Sequence, residues 1–429
     1  MSTAGRLDIA IVGYGTGGQA AAVFLSRDGH NVQVFERAPS PRPIGAGFLL
    51  QPTGLEALWS LGLLERALAY GAPVERLYGE TIGGRPVMDM RYRELDPRLF
   101  GLGLQRGTLF SLLDRAWTPA VQAGCSVAAV DTDRGTLTDA RGRRYGPFDL
   151  VVVADGAASQ LRGQVAPAHL DRPYPWGAQW CLVEAGAWAW PAELRQRYRQ
   201  ARAMAGMLPV GTHPDDPTPR ASFFWSVPTA ELEPSAWCGE PAWRAGLDAV
   251  WPEAAQALGA TCVPEGLAAA RYRDAVHSRW HAGRAVLLGD AAHAMSPQLG
   301  QGVNMALLDA RALRDALREA PPAQALPRYV QRRRAHVRAY QAWSRWLTPL
   351  FQSERDLVAH VRDWGFHPLT RIPGLRNQSL RVLTGTRYGW FGALQPDAAF
   401  LEALDAARTR GQGWRPARSA AALAETPPG

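Results

Sequence analysis

LDIAIVGYGTGGQAAAVFL, residues 7–25, followed by NVQVFER, residues 31–37, sets the architecture of the chain. Leu7 to Val12 is a short apolar run ending in Gly13-Tyr14-Gly15-Thr16-Gly17-Gly18. The alanine-rich stretch through Leu25 reads as a helix, and Asn31 to Phe35 as a second strand closed by Glu36-Arg37. This is the opening of a βαβ unit. Gly13 allows the tight turn, Gly15 lets backbone approach a pyrophosphate, and Gly18 lets helix and strand pack closely. The helix N-terminus behind them offers free N–H groups and a positive dipole end to phosphates. Glu36 falls 23 residues after Gly13, where a carboxylate can accept hydrogen bonds from ribose hydroxyls. The unit is a dinucleotide site, but the glycines alone do not separate FAD from NAD.

Two further strands are legible. LVVVA, residues 150–154, runs into Asp155-Gly156-Ala-Ala-Ser159-Gln-Leu-Arg162. AVLL, residues 285–288, runs into Gly289-Asp290-Ala-Ala-His293-Ala-Met-Ser-Pro297-Gln-Leu-Gly300-Gln-Gly302-Val-Asn304. Continuous apolar strands of this kind suit a parallel sheet covered on both faces. All three strands end in glycine and polar residues, where a doubly wound sheet places its ligands. Asp290 ends a strand and presents a carboxylate to polyol hydroxyls. Gly300 to Asn304 opens a long helix whose N-terminus stabilises negative charge.

Composition removes several functions. All 47 basic residues are arginine, so Schiff-base chemistry, pyridoxal phosphate attachment and the P-loop lysine are excluded. Cys125, Cys181, Cys238 and Cys262 lie far apart and form no metal or redox pair. His277 and His281 could share a helix face, yet no acidic third ligand is near in sequence, so no metal site is expected. The net charge of +8 is scattered among acids, and its densest run, Arg332-Arg333-Arg334, reads as a solvated helix face rather than a nucleic-acid patch. No apolar run spans a bilayer and no secretory signal is visible, which makes the cytoplasm the expected location.

The expected architecture is α/β. A discontinuous Rossmann-like dinucleotide-binding domain takes residues 1–75, 100–175 and 276–345. An interleaved mixed-sheet substrate domain, rich in Trp and Pro, takes 76–99 and 176–275. A helical C-terminal region takes 346–410, and 411–429 is an expected disordered tail.

The three motifs, in this order and at these separations, resemble the class A flavoprotein monooxygenases, the single-component aromatic hydroxylases typified by para-hydroxybenzoate hydroxylase and including the salicylate and hydroxynicotinate hydroxylases. The resemblance covers about residues 6 to 350. It implies that the nucleotide domain is a Rossmann-like FAD-binding domain of the glutathione-reductase type, in which Gly13, Gly15, Gly17 and Gly18 hold the pyrophosphate of non-covalent FAD, and Glu36 its ribose with Arg37 beside it. Arg106 opens a helix beside the flavin, and Gly45, Gly47 and Gln51 approach it from the opposite side. Val130 presents backbone to the adenine. Asp155 and Arg162 serve the pyrophosphate and the pyridine nucleotide, and Asp290 the ribityl chain. Pro297 lies beside the isoalloxazine, with Gly300, Gly302, Val303 and Asn304 at its pyrimidine edge.

The implied reaction is NAD(P)H- and O2-dependent hydroxylation of an aromatic or similar electron-rich small molecule through a flavin C4a-hydroperoxide, by a monomer or homodimer. With one nucleotide fold present, NAD(P)H is expected in a surface groove with arginines such as Arg162. No catalytic base stands out. His293 sits near the isoalloxazine in a packing or proton-transfer role, and Phe223 and Trp225 are the candidate substrate floor. Flavin halogenases share the scaffold but use Trp-x-Trp-x-Ile-Pro and a lysine; Trp188-Ala-Trp190-Pro191 lacks the isoleucine, and the chain lacks lysine. A prenyl-chain reductase and a non-catalytic flavin-binding module remain open.

Overall fold

The computed structural model describes residues 5–43, 45–117, 121–186, 188–233, 240–259 and 267–410. Cys238, Cys262 and the expected tail 411–429 lie outside the described residues.

The opening unit forms as the apolar pattern requires: strand β1 (Asp8–Val12), helix α1 (Thr16–Arg27) and strand β2 (Asn31–Glu36). β1 pairs in parallel with β2 on one side and with Leu150–Val153 on the other. The sheet continues to Ala285–Leu287 and, at its far edge, to Val121–Ala123. Its centre is fully buried at Ile9, Ile11, Val152 and Val286, because α1 covers one face with its alanines and Phe24. The helix Gly302–Glu319 packs on α1 and carries the apolar stripe Leu307, Ala310, Leu313 and Leu317 into the same core.

A second sheet of seven strands draws on Arg76–Thr81 and Pro86–Arg91 at one edge, and on strands between Ala168 and His277 for the rest. Its strands are mostly antiparallel, with Glu193–Arg199 and Arg76–Thr81 forming a parallel pair. A small sheet ties the two together: Gly47–Leu50 pairs with Gly101–Gln105, which pairs with Ala72–Val74.

Three sequence expectations differ from the structure. One continuous helix, Pro322–Phe351, crosses the expected boundary at 345/346. His277 ends a strand and His281 begins another, so they share no helix face. Arg333 is 4% exposed rather than solvated, because its helix turns that residue onto Gly302–Glu319. No helix among the described residues is long and apolar enough to cross a membrane.

Candidate functional site

The glycine turn is shaped by contacts that leave no room for side chains. Gly13 has φ +104°, and a Cβ there would lie 2.4 Å from the Ala154 carbonyl oxygen on the neighbouring strand. A Cβ at Gly18 would lie 2.0 Å from the Gly13 carbonyl oxygen, and one at Gly17 2.8 Å from Leu288 Cδ2. Gly15 is different: a Cβ there meets nothing within 4 Å. The first turn of α1 therefore presents its unpaired N–H groups to open space.

At the end of β2, Glu36 receives the Tyr14 N–H at 2.8 Å and the Ala38 N–H at 2.9 Å. Arg37 beside it is exposed. Val130 is buried, and its N–H donates to the Gln164 side chain at 2.9 Å, so that amide is already engaged.

The second motif is braced from within. Arg162 is 3% exposed and donates to the carbonyls of Gly156 (3.0 Å) and Ala157. Its Nε and one terminal nitrogen have no hydrogen-bond partner, the facing Asp171 carboxylate being 3.9 Å away. Burial pulls this guanidinium's pKa down. An enclosed Arg162 does not line a surface groove, which corrects that expectation. Asp155 has a buried oxygen without a partner, and burial raises its pKa.

Asp290 is exposed at the start of the short helix Asp290–His293, and its Oδ1 lies 3.9 Å from where a Cβ on Gly302 would stand. Gly300 has φ +60° and open space around it, which lets backbone come close to a ligand. Pro297 opens a single 3-10 turn, half-buried, and Val303 is half-buried on the first turn of the long helix. The Asn304 side chain has another task. It accepts the Gln51 N–H at 2.9 Å and donates to the Gly300 and Leu49 carbonyls, tying three segments together.

Arg106 begins its helix directly after the strand that pairs with Gly47–Leu50. It is open to solvent yet hemmed in: a Cβ on Gly45 would lie 2.8 Å from its Cδ, and the Phe48 ring is 5.7 Å away. The atoms crowded around it lower its pKa, while Asp290 and Tyr272 lie close enough to oppose the shift, so Arg106 faces both the Asp290 turn and the second sheet across one cleft. Gly47 packs against the second sheet, its Cβ position lying 2.5 Å from Val210 and 3.1 Å from Ser222.

Strand alternation decides what lines the sheet side of that cleft. Phe223 and Trp225 are buried in a core with Trp243, under the helix Glu240–Val250. Ser222, Phe224 and Ser226 point the other way, toward Gly47 and the end of the Pro322–Phe351 helix. Phe223 and Trp225, expected as a substrate floor, are therefore core residues beneath that helix. The cleft face holds Phe224 with the Trp180 ring 5.2 Å from it. Tyr272 lies on the same face as Asp274, which pairs with Arg345 of the long helix. Ser222 Oγ is buried without a partner, and Tyr272 Oη and Trp180 Nε1 lie buried beside each other with no well-formed hydrogen bond. The sequence reading missed Tyr272 and Trp180, since neither belongs to a motif.

His293 is not at the open cleft. It is 1% exposed and its Nε2 meets the Asp309 carboxylate at 2.6 Å.

A glycine turn opening onto a helix N-terminus, an acid at the second strand, a free carboxylate at Asp290 and open backbone at Gly15, Gly156 and Gly300 suit a long dinucleotide with a flavin head. These features define a Rossmann-type flavoprotein. The model of the FAD binding domain family matches residues 6–344, and the chain belongs to this family, among the class A flavoprotein monooxygenases. It is 29% identical over 386 residues to the probable 2-heptyl-3-hydroxy-4(1H)-quinolone synthase AqdB2 of Rhodococcus erythropolis, covering 85% of this chain and 92% of that protein. It is 29% identical to the FAD-dependent urate hydroxylase of Klebsiella oxytoca, over 72% of this chain and 81% of the relative. The crystal structure of PqsL from P. aeruginosa in complex with 2-aminobenzoylacetate superposes with a TM-score of 0.70 at 25% identity, over 83% of this chain and 99% of PqsL.

Proposed function

We propose that the protein is an NAD(P)H- and O2-dependent monooxygenase that hydroxylates an aromatic or heteroaromatic small molecule. The observation that carries this reading is the cleft itself. Arg106 lies within electrostatic reach of Asp290 on the nucleotide side and of Tyr272 on the second sheet, where Trp180 and Phe224 share one face. Bound FAD supplies reduction by a pyridine nucleotide and activation of O2 for transfer of one oxygen atom.

The chain's own residues do the rest. The α1 N-terminus and Gly15 hold the pyrophosphate, Glu36 the ribose and Asp290 the ribityl chain. The N–H groups at the start of the Gly302 helix stabilise negative charge on the reduced ring. Trp180 and Phe224 hold a flat substrate and exclude water, which would otherwise uncouple reductant consumption from product formation. Tyr272 Oη and Trp180 Nε1, neighbours on that face, bond polar substituents of that substrate.

The test is NAD(P)H oxidation with a panel of phenols, hydroxy-acids and heteroaromatics, with products identified by mass under ¹⁸O2. Substrate-stimulated oxidation and one labelled oxygen in the product are expected. A product without the label sinks the monooxygenase reading.

A further inference from the structure

Behind the Asp290 turn runs a chain of buried charged groups that the proposed chemistry does not use. Asp309, fully buried on the Gly302–Glu319 helix, accepts three hydrogen bonds: Gly289 N–H at 3.0 Å, His293 Nε2 at 2.6 Å and Arg333 Nε at 2.6 Å. Gly289 and His293 bracket the short helix that displays Asp290. One carboxylate therefore grips both ends of the Asp290 turn.

The chain continues outward. Arg333 Nη1 reaches His336 Nδ1 at 2.6 Å, and an arginine can only donate, so Nδ1 accepts and His336 Nε2–H donates to the Gly385 carbonyl at 2.9 Å. The 381–386 segment meets the cofactor side again. Leu383 O accepts from Gln301 Nε2 at 2.8 Å, directly before the Gly302 helix, and Gly385, at φ +80°, packs so closely on Thr53 that a Cβ would lie 2.2 Å from its Oγ1. This segment lies beyond residues 6–344, which the family model matches.

We infer that Asp309, Arg333 and His336 are positioning residues for FAD, which lock the Asp290 turn to the start of the Gly302 helix and make residues 381–386 a working part of the cofactor site. The inference rests on the reading of Asp290 as a FAD ligand. A buried carboxylate facing one guanidinium, one imidazole and one backbone N–H has no spare geometry. Replacing it by an amide leaves Arg333 buried and uncompensated, and the turn loses one of its anchors.

The experiment reconstitutes apoprotein with FAD and measures Kd and the midpoint potential of the bound flavin, with unfolding temperature alongside. Asp309→Asn and Arg333→Met should each raise the FAD Kd at least about tenfold, and the double variant should be less impaired than the sum of the two. His336→Phe should weaken FAD binding and shift the potential, while His336→Gln, whose amide can still donate to Gly385 O, should stay within about threefold of the parent. If Asp309→Asn does not fold, the His336 pair decides. Parental Kd and potential throughout, whatever the unfolding temperatures, would overturn the inference. So would His336→Gln failing as badly as His336→Phe. Asp290→Ala serves as the control: unchanged FAD affinity there refutes the ribityl assignment and leaves the network's effect to be read on its own.

Discussion

Gly18 stands against the carbonyl oxygen of Gly13, so close that a Cβ on Gly18 would lie 2.0 Å from it, whereas a Cβ on Gly15, three residues earlier, would touch nothing within 4 Å. The two glycines of one motif thus serve different ends, and their alanine variants should fail differently. Gly18→Ala collides with backbone and should destabilise the fold by about 1–3 kcal/mol. Gly15→Ala should fold with parental stability and lose FAD affinity, because its methyl enters the space kept for the pyrophosphate. Urea unfolding of apoprotein and FAD titration separate the two; a Gly15→Ala protein with parental FAD affinity would contradict the placement of the cofactor.

Asp290 is exposed and displayed rather than packed. Asp290→Ala should leave the unfolding temperature of apoprotein unchanged and weaken FAD retention by about 1.5–3 kcal/mol, the range for hydrogen bonds to a charged group. Gel filtration followed by the flavin-to-protein absorbance ratio reads the loss directly.

Phe223 and Phe224 make a matched pair for testing the strand's two faces. Phe223 is fully buried beside Trp243, so Phe223→Ala should cost about 3–5 kcal/mol of stability. Phe224, tilted against Trp180 on the cleft side, should cost less stability when cut to alanine and raise KM for the aromatic substrate instead. Equal stability losses with unchanged KM in both variants would remove Phe224 from the substrate wall.

His336 is held neutral: burial, with the neighbouring Arg333 charge, pulls its pKa well below the ordinary value. His277 and His281 shift the same way, chiefly through burial. Below about pH 6.5 the unfolded chain takes up protons that the folded protein refuses. Stability should therefore be flat above that pH and fall on acidification, by up to about 1.4 kcal/mol per pH unit for each such histidine. Unfolding midpoints between pH 8 and 5 test this, and His336→Gln should flatten the slope.

The parts legible in the sequence are those governed by local rules. The strand, glycine turn and helix at 7–37 follow from apolar runs and from backbone that tolerates no side chain, and the two later strand ends at Asp155 and Asp290 follow from the same pattern. The FAD class rests on the family resemblance that those three segments carry together. What the local rules could not supply is which side of an element faces which neighbour. Ser-Phe-Phe-Trp-Ser, residues 222–226, is apolar at its centre on both faces, so alternation says that two sets exist but not which set meets the cleft. Only pairing with the neighbouring strands, and the helix Glu240–Val250 on one side, put Phe223 and Trp225 in the core. Arg333 in an arginine run reads as solvated because burying a cation is costly without a partner. Its partner Asp309 lies 24 residues back, on a helix that reaches it only when folded. The same holds for Asn304, whose side chain finds Gln51 across 253 residues, and for the 381–386 segment. The nucleotide-binding frame is written locally in the chain, because close backbone approach is encoded residue by residue. The tertiary structure alone decided the substrate wall and the buried ionic support, because burial and charge compensation depend on partners distant in the chain.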